Sequence, residues 1–409
     1  MDPAATPRAD RDDHPEPALA RRESLSLSFA ATQASRLTWI GLRRGIPTVS
    51  IGDQIHNQRI VGSRPMISPA LLRDELPLTE AGQAGVLRSR AAVTRVLDGV
   101  DDRLLVVVGP CSVHDPVAGL DYARRLAELA AELSDQLCVV MRVYFEKPRT
   151  TLGWKGLLND PGLDGSFDVN HGLRTARALL LDILALDLPV GCEFLDPITP
   201  QYIADTVSWG SIGARTAQSQ VHRQLCSGLS MPIGIKNSTD GDVQVAVDAV
   251  KAAASSHVFP GITDDGLAAI FSTSGNPDCH VILRGGAAGP NYDRVSVEAT
   301  VDRLERAALP GRLIVDASHG NSGKDHLRQP VVAAEVGARL AAGEHGVVGL
   351  MLESFLVPGR QELTLGRASD LVYGQSVTDG CMGWETTVSV LRELASAVAQ
   401  RRTCALATT

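Results

Sequence analysis

The sequence predicts an α/β protein, a (β/α)8 TIM barrel with an N-terminal extension and an inserted segment after the fifth strand and helix. Three observations point there. Beyond Asp101 the chain falls into eight short, nearly uninterrupted apolar runs, longer helical segments separate them, and a polar, mostly ionisable residue stands at or near the carboxyl end of every run. Unbroken apolar runs of this length suit strands buried on both faces of a parallel sheet, whereas a one-sided sheet would alternate.

The runs, in order, are LLVVVGPC, LCVVMRVYF, LPVGCEFL, GSIGAR, PIGIKN, VILRGG, RLIVDASH and VGLMLES. Between and after them stand PVAGLDYARRLAELAAEL, VNHGLRTARALLLDIL, PQYIADTVS, QSQVHRQLCSGL, GDVQVAVDAVKAAA, SVEATVDRLERAAL, QPVVAAEVGARLAA and WETTVSVLRELASAVAQ, each suited to a crossover helix. Eight strands, each followed by a helix, close most simply into a barrel. An open doubly wound sheet is the alternative, but no G-x-G-x-x-G follows the first strand. Surplus chain between Lys251 and Cys279 exceeds one crossover and suits an inserted hairpin used in assembly or regulation.

These readings divide the chain into an N-terminal extension over 1–57, an arm over 58–100, the barrel over 101–402 and a tail over 403–409. The first 25 residues or so carry many charges and prolines and few large apolar side chains, so a disordered tail is expected there.

A net charge of −8 and an isoelectric point near 5.7 argue against a broad nucleic-acid-binding surface, though not against a local basic pocket. Seven scattered cysteines form no C-x-x-C pair and read as reduced thiols. No apolar stretch approaches the roughly 20 residues of a membrane span. The N-terminus lacks the apolar centre of a secretory signal, and Asp10, Asp12, Asp13 and Glu16 count against an organelle transit peptide, so the expected location is cytoplasmic.

In a barrel of this kind the active site forms at the carboxyl ends of the strands. The residues there are Cys111, Arg142 with Lys147, Glu193, Arg215, Lys236, Arg284, His319 and Glu353. Any one could be a surface charge or a helix-end ion pair, but charged groups are costly to bury unpaired, and a whole rim of them implies a shared purpose. They form two sets. Cys111, His319 and Glu353 offer a thiolate, an imidazole and a carboxylate, which are ligands for a divalent transition metal, and Asp379 in SVTDGCMGWE could add a fourth. Alone, a buried cysteine is more often a small hydrophobe and a lone histidine a satisfied core residue. The second set, Arg142, Lys147, Arg149, Lys155, Arg215, Lys236 and Arg284, makes sense if the occupants are strongly anionic. Thr150, Thr151 and Gly153 suit a phosphate-holding loop.

The segments GPCSVHDP, RVYFEKPRTTLGWKGLLNDP, GCEFLDPITPQY, GARTAQSQVHRQLCSGL, LRGG followed by PNYD, DASHGNSGKDHLRQ and VTDGCMGWE resemble those of class I 3-deoxy-D-arabino-heptulosonate-7-phosphate (DAHP) synthases of the microbial, aromatic-amino-acid-sensitive type. The likeness runs in order from about Ile60 to about Arg402. It implies a metal-dependent transferase condensing phosphoenolpyruvate with erythrose 4-phosphate, the first step of the shikimate pathway.

The resemblance also implies roles. Cys111, His319, Glu353 and Asp379 would bind a divalent metal of the Mn, Fe, Co or Zn type, and no organic cofactor would be needed. Phosphoenolpyruvate would be held by Arg142, Glu193 through water, Ala214, Arg215, Lys236 and Arg284. Erythrose 4-phosphate would meet Arg149, Thr150 and Pro148, with Lys147 near its aldehyde. Lys147, Asp379 and His319 would take part in catalysis. A homodimer or homotetramer, an aromatic amino acid effector and no nucleic-acid or membrane partner are expected. Close alternatives are a sister synthase using arabinose 5-phosphate or an amino analogue of erythrose phosphate, and a non-catalytic regulatory paralogue. The chain departs from the usual wording at Ser238, where glycine is usual, and at Phe355, where a polar residue is expected.

Overall fold

The computed structural model describes residues 56–407, so the expected disordered tail and nearly all of the 1–57 extension lie outside the described residues. The chain divides after Ser63, and the unit beginning at Arg64 holds the barrel.

Eight parallel strands close on themselves: β1 (Leu104–Gly109), β2 (Leu137–Arg142), β3 (Val190–Glu193), β4 (Trp209–Ile212), β5 (Ile233–Lys236), β8 (His280–Leu283), β9 (Leu313–Asp316) and β10 (Val347–Glu353), with β1 paired to both β2 and β10. Each lies within one of the eight apolar runs or overlaps it. The crossovers are α3 (Pro116–Glu132), α4 (Val169–Leu184), the single turn α5 (Pro200–Ile203), α6 (Gln220–Gly228), α7 (Gln244–Ala253), α8 (Arg294–Arg306) and α9 (Gln329–Ala341). Several start where the sequence supplies a cap: Asp115 accepts from the N–H groups of Val117 and Ala118 ahead of Pro116, and Asp293 accepts from Ser296. Between α7 and β8 the surplus chain forms an antiparallel hairpin, β6 (Val258–Ile262) with β7 (Ala268–Ser272).

Side-chain alternation along the strands separates floor from mouth. Leu105 and Val107 of β1, Cys138 and Val140 of β2, Trp209, Ile282, Ile314 and Met351 make one buried cluster inside the barrel, while Val106, Val108 and Val139 pack outward against the helices. Val107 is in register with both Val140 and Met351, so these three share a layer. Trp209 fills the floor because its neighbours are glycine: a Cβ on Gly234 would stand 2.7 Å from the indole and one on Gly191 3.1 Å. Two residues further along each strand the inward positions become Arg142, Arg284, Asp316 and Glu353. The period of two that buries the apolar layer thus delivers the charges to the mouth.

Two helices of the 58–100 arm were not anticipated. α1 (Pro69–Glu75) starts at Ser68, whose side chain accepts from Leu71, and α2 (Glu80–Leu97) starts at Thr79, which accepts from Gly82. Val93, Val96 and Leu97 of α2 join the interior cluster and cover the floor. The last helix, α10 (Trp384–Ala407), runs unbroken across position 402. Before it, a loop carries the short parallel pair β11 (Val357–Arg360) and β12 (Gln375–Ser376). Among the described residues no helix is long and apolar enough to cross a membrane.

Candidate active site

The long β10–α10 loop brings Asp379 back to the mouth because its end is tied to β10. Met382 N–H donates to Glu353 O (2.9 Å) and Phe355 N–H to Met382 O (2.8 Å). The turn after β1 is tied to the same loop: Cys111 N–H donates to Cys381 Sγ (3.3 Å), and the hydroxyls of Ser112 and Thr378 are 2.8 Å apart. Stretches 270 residues apart in sequence therefore present their side chains to one point.

There, ligand atoms of Cys111, Glu353 and Asp379 all lie within 4.8 Å of one another. The fourth expected ligand, His319, is not part of that group: its Nε2 stands 3.8 Å from Glu353 Oε1, and its Nδ1 is turned to Asp316 Oδ2 (2.9 Å) and Ser318 Oγ (2.7 Å). His319 holds a left-handed backbone conformation (φ 55°), costly for a residue with a Cβ by about 1–3 kcal/mol and characteristic of functional sites. The thiol and two carboxylates crowded together, with the imidazole beside Glu353 rather than within the group, suit a borderline divalent cation, whose charge would offset their mutual repulsion. Burial pushes the Cys111 thiol up and Glu353 adds to this, while Lys147 opposes it.

Cations surround the group. Arg142 is buried, donating to Glu353 Oε1 (2.9 Å), Pro110 O (3.1 Å) and Cys111 O (3.2 Å), with its guanidinium 3.7 Å from the centre of the Tyr144 ring. Lys147 donates to Cys111 O (3.1 Å) and Sγ (3.0 Å). Burial works against its charge, but Cys111 and Glu353 outweigh that and hold its ammonium above the usual lysine range. For Asp379 burial opposes ionisation, yet Lys147 and His319 keep the carboxyl below the usual range.

A cavity of about 290 Å³ opens beside these groups, lined by Arg142, Lys147, Pro148, Arg149, Thr150, Glu193, Ala214, Arg215, Lys236, Arg284, His319 and Asp379 among others. Every candidate substrate residue thus borders one space, and Cys111 and Glu353 lie behind it. Arg215 donates to Thr150 Oγ1 (3.1 Å), joining the β4 and β2 loops. Backbone fits closely around Arg284: Gly285 has φ 69°, and a Cβ on Gly286 would meet the Gly241 backbone at 2.4 Å. Burial lowers the Arg284 guanidinium, with Asp316 opposing.

One cation expected in the set is placed elsewhere. Lys155 is exposed and does not line the cavity; its carbonyl instead accepts from Lys147 N–H (2.9 Å), closing the EKPRTTLGWK loop. Lys324, which the sequence reading passed over, lines the cavity. Seven Lys and Arg side chains therefore border it against Glu193 and Asp379, so the space favours anions.

Three further polar residues were missed. Asp316 is buried, and although burial opposes its charge, His319 and Lys236 hold its carboxyl well below the usual range. Gln329 pins Glu353, accepting from its N–H (2.8 Å) and donating to its carbonyl (3.1 Å). Glu146, beside Lys147, accepts from the N–H groups of Leu195 (3.4 Å) and Asp196 (3.1 Å), while burial pushes its carboxyl up to about 8. A signal existed for the first: Asp316 stands at an inward position in an otherwise apolar strand. Of the two unusual residues, Ser238 bonds within the β5–α7 turn, its hydroxyl donating to Asp240 and accepting from Asp242 N–H, and Phe355 is buried against the rings of Tyr122 and His114.

Compared with known proteins, the chain matches the DAHP synthetase I family over residues 78–392. It is 55% identical over 354 residues to phospho-2-dehydro-3-deoxyheptonate aldolase of Corynebacterium glutamicum, covering 85% of this chain and 96% of that relative. It is 53% identical over 344 residues to the Phe-sensitive enzyme of that name from Escherichia coli, covering 84% and 97% of the two chains. A solved structure of phospho-2-dehydro-3-deoxyheptonate aldolase from Francisella tularensis superposes with a TM-score of 0.81 at 48% identity, covering 84% of this chain and 99% of the other.

Proposed function

The chain belongs to the DAHP synthetase I family, and from that premise we propose how its barrel condenses phosphoenolpyruvate with erythrose 4-phosphate, giving DAHP and phosphate in the first step of the shikimate pathway. The observation that carries this account is the anion-favouring cavity bordered by the crowded Cys111, Glu353 and Asp379.

Arg215, Lys236, Arg284 and the backbone at Ala214 hold the phosphate and carboxylate of phosphoenolpyruvate, with Arg142 beneath them. Arg149, Thr150 and Pro148 hold the sugar phosphate at the outer edge, so two anions that repel each other are fixed with their reacting carbons together. C3 of phosphoenolpyruvate attacks the aldehyde carbon, and Lys147 donates a proton to the developing alkoxide. Glu193 orients the water that adds to C2, after which phosphate leaves. Cys111, His319, Glu353 and Asp379 would hold a divalent cation, which when bound supplies Lewis acidity toward the aldehyde oxygen. The donor set accepts several first-row ions, the Mn, Fe, Co and Zn types among them.

The test is phosphate release from phosphoenolpyruvate across a panel of aldose phosphates with each metal. Release is expected to require a divalent metal and to be fastest with erythrose 4-phosphate. Faster release with arabinose 5-phosphate or an amino-erythrose phosphate would reassign the sugar, and no release with any aldehyde would contradict the enzymatic account.

The proposal extends to regulation and setting. Relatives carry the names Phe-sensitive, Tyr-sensitive and tyrosine-inhibited. In this chain a largely apolar cavity of about 780 Å³, bordered by Ile198, Pro200, Leu225, Leu229, Phe259 and Phe271, lies between α5, α6 and the β6–β7 hairpin. It suits an aromatic amino acid effector. Inhibition by phenylalanine or tyrosine is expected, and Leu225→Trp, which fills the cavity, should abolish it without lowering uninhibited turnover. Inhibition that survives Leu225→Trp would place the effector elsewhere. A homodimer or homotetramer working in the cytoplasm completes the proposal, and the six buried, unpaired thiols fit a reducing compartment.

A further inference from the structure

We propose that Asp316 is a positioning residue that couples the metal site to the phosphoenolpyruvate site, so that each ligand tightens the other through one shared carboxylate oxygen. The proposal rests on the roles given above to His319 and Lys236. Asp316 ends β9 inside the barrel and has no exposed surface. Its Oδ1 is fixed, accepting from Ser318 N–H (3.0 Å) and Ser318 Oγ (2.5 Å). Its Oδ2 stands 2.9 Å from His319 Nδ1 and 3.1 Å from Lys236 Nζ, ion-pair distances without hydrogen-bond geometry from side chains at different strand ends. The hydrogen-bond partner of Nδ1 is Ser318 Oγ (2.7 Å), which itself donates to Oδ1.

Because the Ser318 hydroxyl donates to Oδ1, it accepts from Nδ1, and with the Asp316 charge beside it this favours the tautomer with the proton on that nitrogen, leaving the Nε2 lone pair free toward Glu353 and raising the ring's strength as a ligand. Lys236 competes for the same oxygen. Because Oδ1 is held, the carboxylate cannot turn to serve the imidazole and the ammonium separately, and they divide the charge of Oδ2 between them. A phosphate that draws the Lys236 ammonium toward itself leaves more of Oδ2 to the imidazole, so Nε2 binds a cation more tightly. A cation on Nε2 makes the Nδ1 proton more acidic, draws Asp316 toward the ring and leaves Lys236 freer for phosphate. Linkage requires the two effects to be equal. Direct attraction between the anion and the cation adds to this coupling but does not depend on Asp316.

The experiment is titration of the full chain with Mn²⁺, with and without phosphoenolpyruvate, for wild type, Asp316→Asn, Ser318→Ala and His319→Ala. An asparagine amide can present N–H to Nδ1 and so shift the ring proton to Nε2. Asp316→Asn should therefore weaken Mn²⁺ about 10- to 100-fold. The factor by which phosphoenolpyruvate tightens Mn²⁺ should shrink as well, at least about threefold out of a coupling on the order of 5- to 150-fold. A purely structural role would leave that factor unchanged.

Unaltered Mn²⁺ affinity and coupling in Asp316→Asn, alongside loss of Mn²⁺ binding in His319→Ala, would overturn the proposal while leaving His319 a ligand. Wild-type Mn²⁺ affinity in His319→Ala would overturn the ligand assignment itself. If Asp316→Asn does not fold, Ser318→Ala decides, because it removes one of the two donors that hold Oδ1 and, with it, the hydroxyl 2.7 Å from Nδ1. Weakened Mn²⁺ binding with reduced coupling then supports the proposal, and wild-type values for both overturn it.

Discussion

Replacing Cys111 with alanine is expected to lower condensation by at least about 100-fold while the barrel stays folded. In the proposed site the thiol is the soft donor, and losing it would weaken both cation affinity and the several kcal/mol of charge stabilisation that a bound ion would supply to a reacting oxygen, where each 1.36 kcal/mol is tenfold in rate. Folding should change little, since a small buried side chain is lost and Arg142, Glu353 and the ties from Cys381 and Thr378 remain. In a chain of this size about 1–2 kcal/mol shifts melting by only a few degrees. Steady-state rates, metal content and thermal melting together check this. Near-wild-type turnover after exhaustive chelation would mean that the crowded donors serve another purpose.

The second large effect is expected at Lys147. Its ammonium is directed to Cys111 and borders the cavity that Asp379 also lines. Lys147→Ala should reduce turnover by about 10²- to 10⁴-fold, the range lost with a general acid. Phosphoenolpyruvate binding, which the proposal assigns to Arg215, Lys236 and Arg284, should stay within about threefold of wild type in calorimetry; even a full pKa unit of lost interaction is only tenfold. Lys147→Arg is not expected to restore turnover, because a guanidinium keeps its proton and its planar fork does not fit where a compact ammonium does. Unchanged turnover in Lys147→Ala would remove this residue from proton transfer. A change confined to the affinity for erythrose 4-phosphate would reduce its part to holding that substrate.

Much of the barrel was legible because a parallel sheet buried on both faces writes its strands as unbroken apolar runs, and the inward charges at their ends are conspicuous against them. α4 coincides with the segment VNHGLRTARALLLDIL because Asp168 caps it and its apolar residues recur at helical spacing. The helix α2 was hidden for the opposite reason. Its buried face consists of Val86, Val93, Val96 and Leu97 among alanines, arginines and glycines, so the periodic signal is weak, although Thr79 marks its start. Lys155 was misread because alternation gives no direction to a side chain in a loop, and the course of EKPRTTLGWK depends on backbone contacts that no residue type announces.

The convergence of Asp379 with Cys111 and Glu353 was not readable from spacing either. It depends on Met382 and Phe355 tying the loop to β10 and on Thr378 meeting Ser112. Asp316 is legible as a charge at the inward end of an otherwise apolar strand, but its pairing emerges only with His319 and Lys236 beside it.

The most direct test is anomalous diffraction from crystals grown with Mn²⁺ and phosphoenolpyruvate. A single strong peak is expected among Cys111 Sγ, His319 Nε2 and the carboxylates of Glu353 and Asp379, with the substrate phosphate against Arg215, Lys236 and Arg284. A peak away from these four side chains, or phosphoenolpyruvate bound outside the ring of cations, would contradict the account.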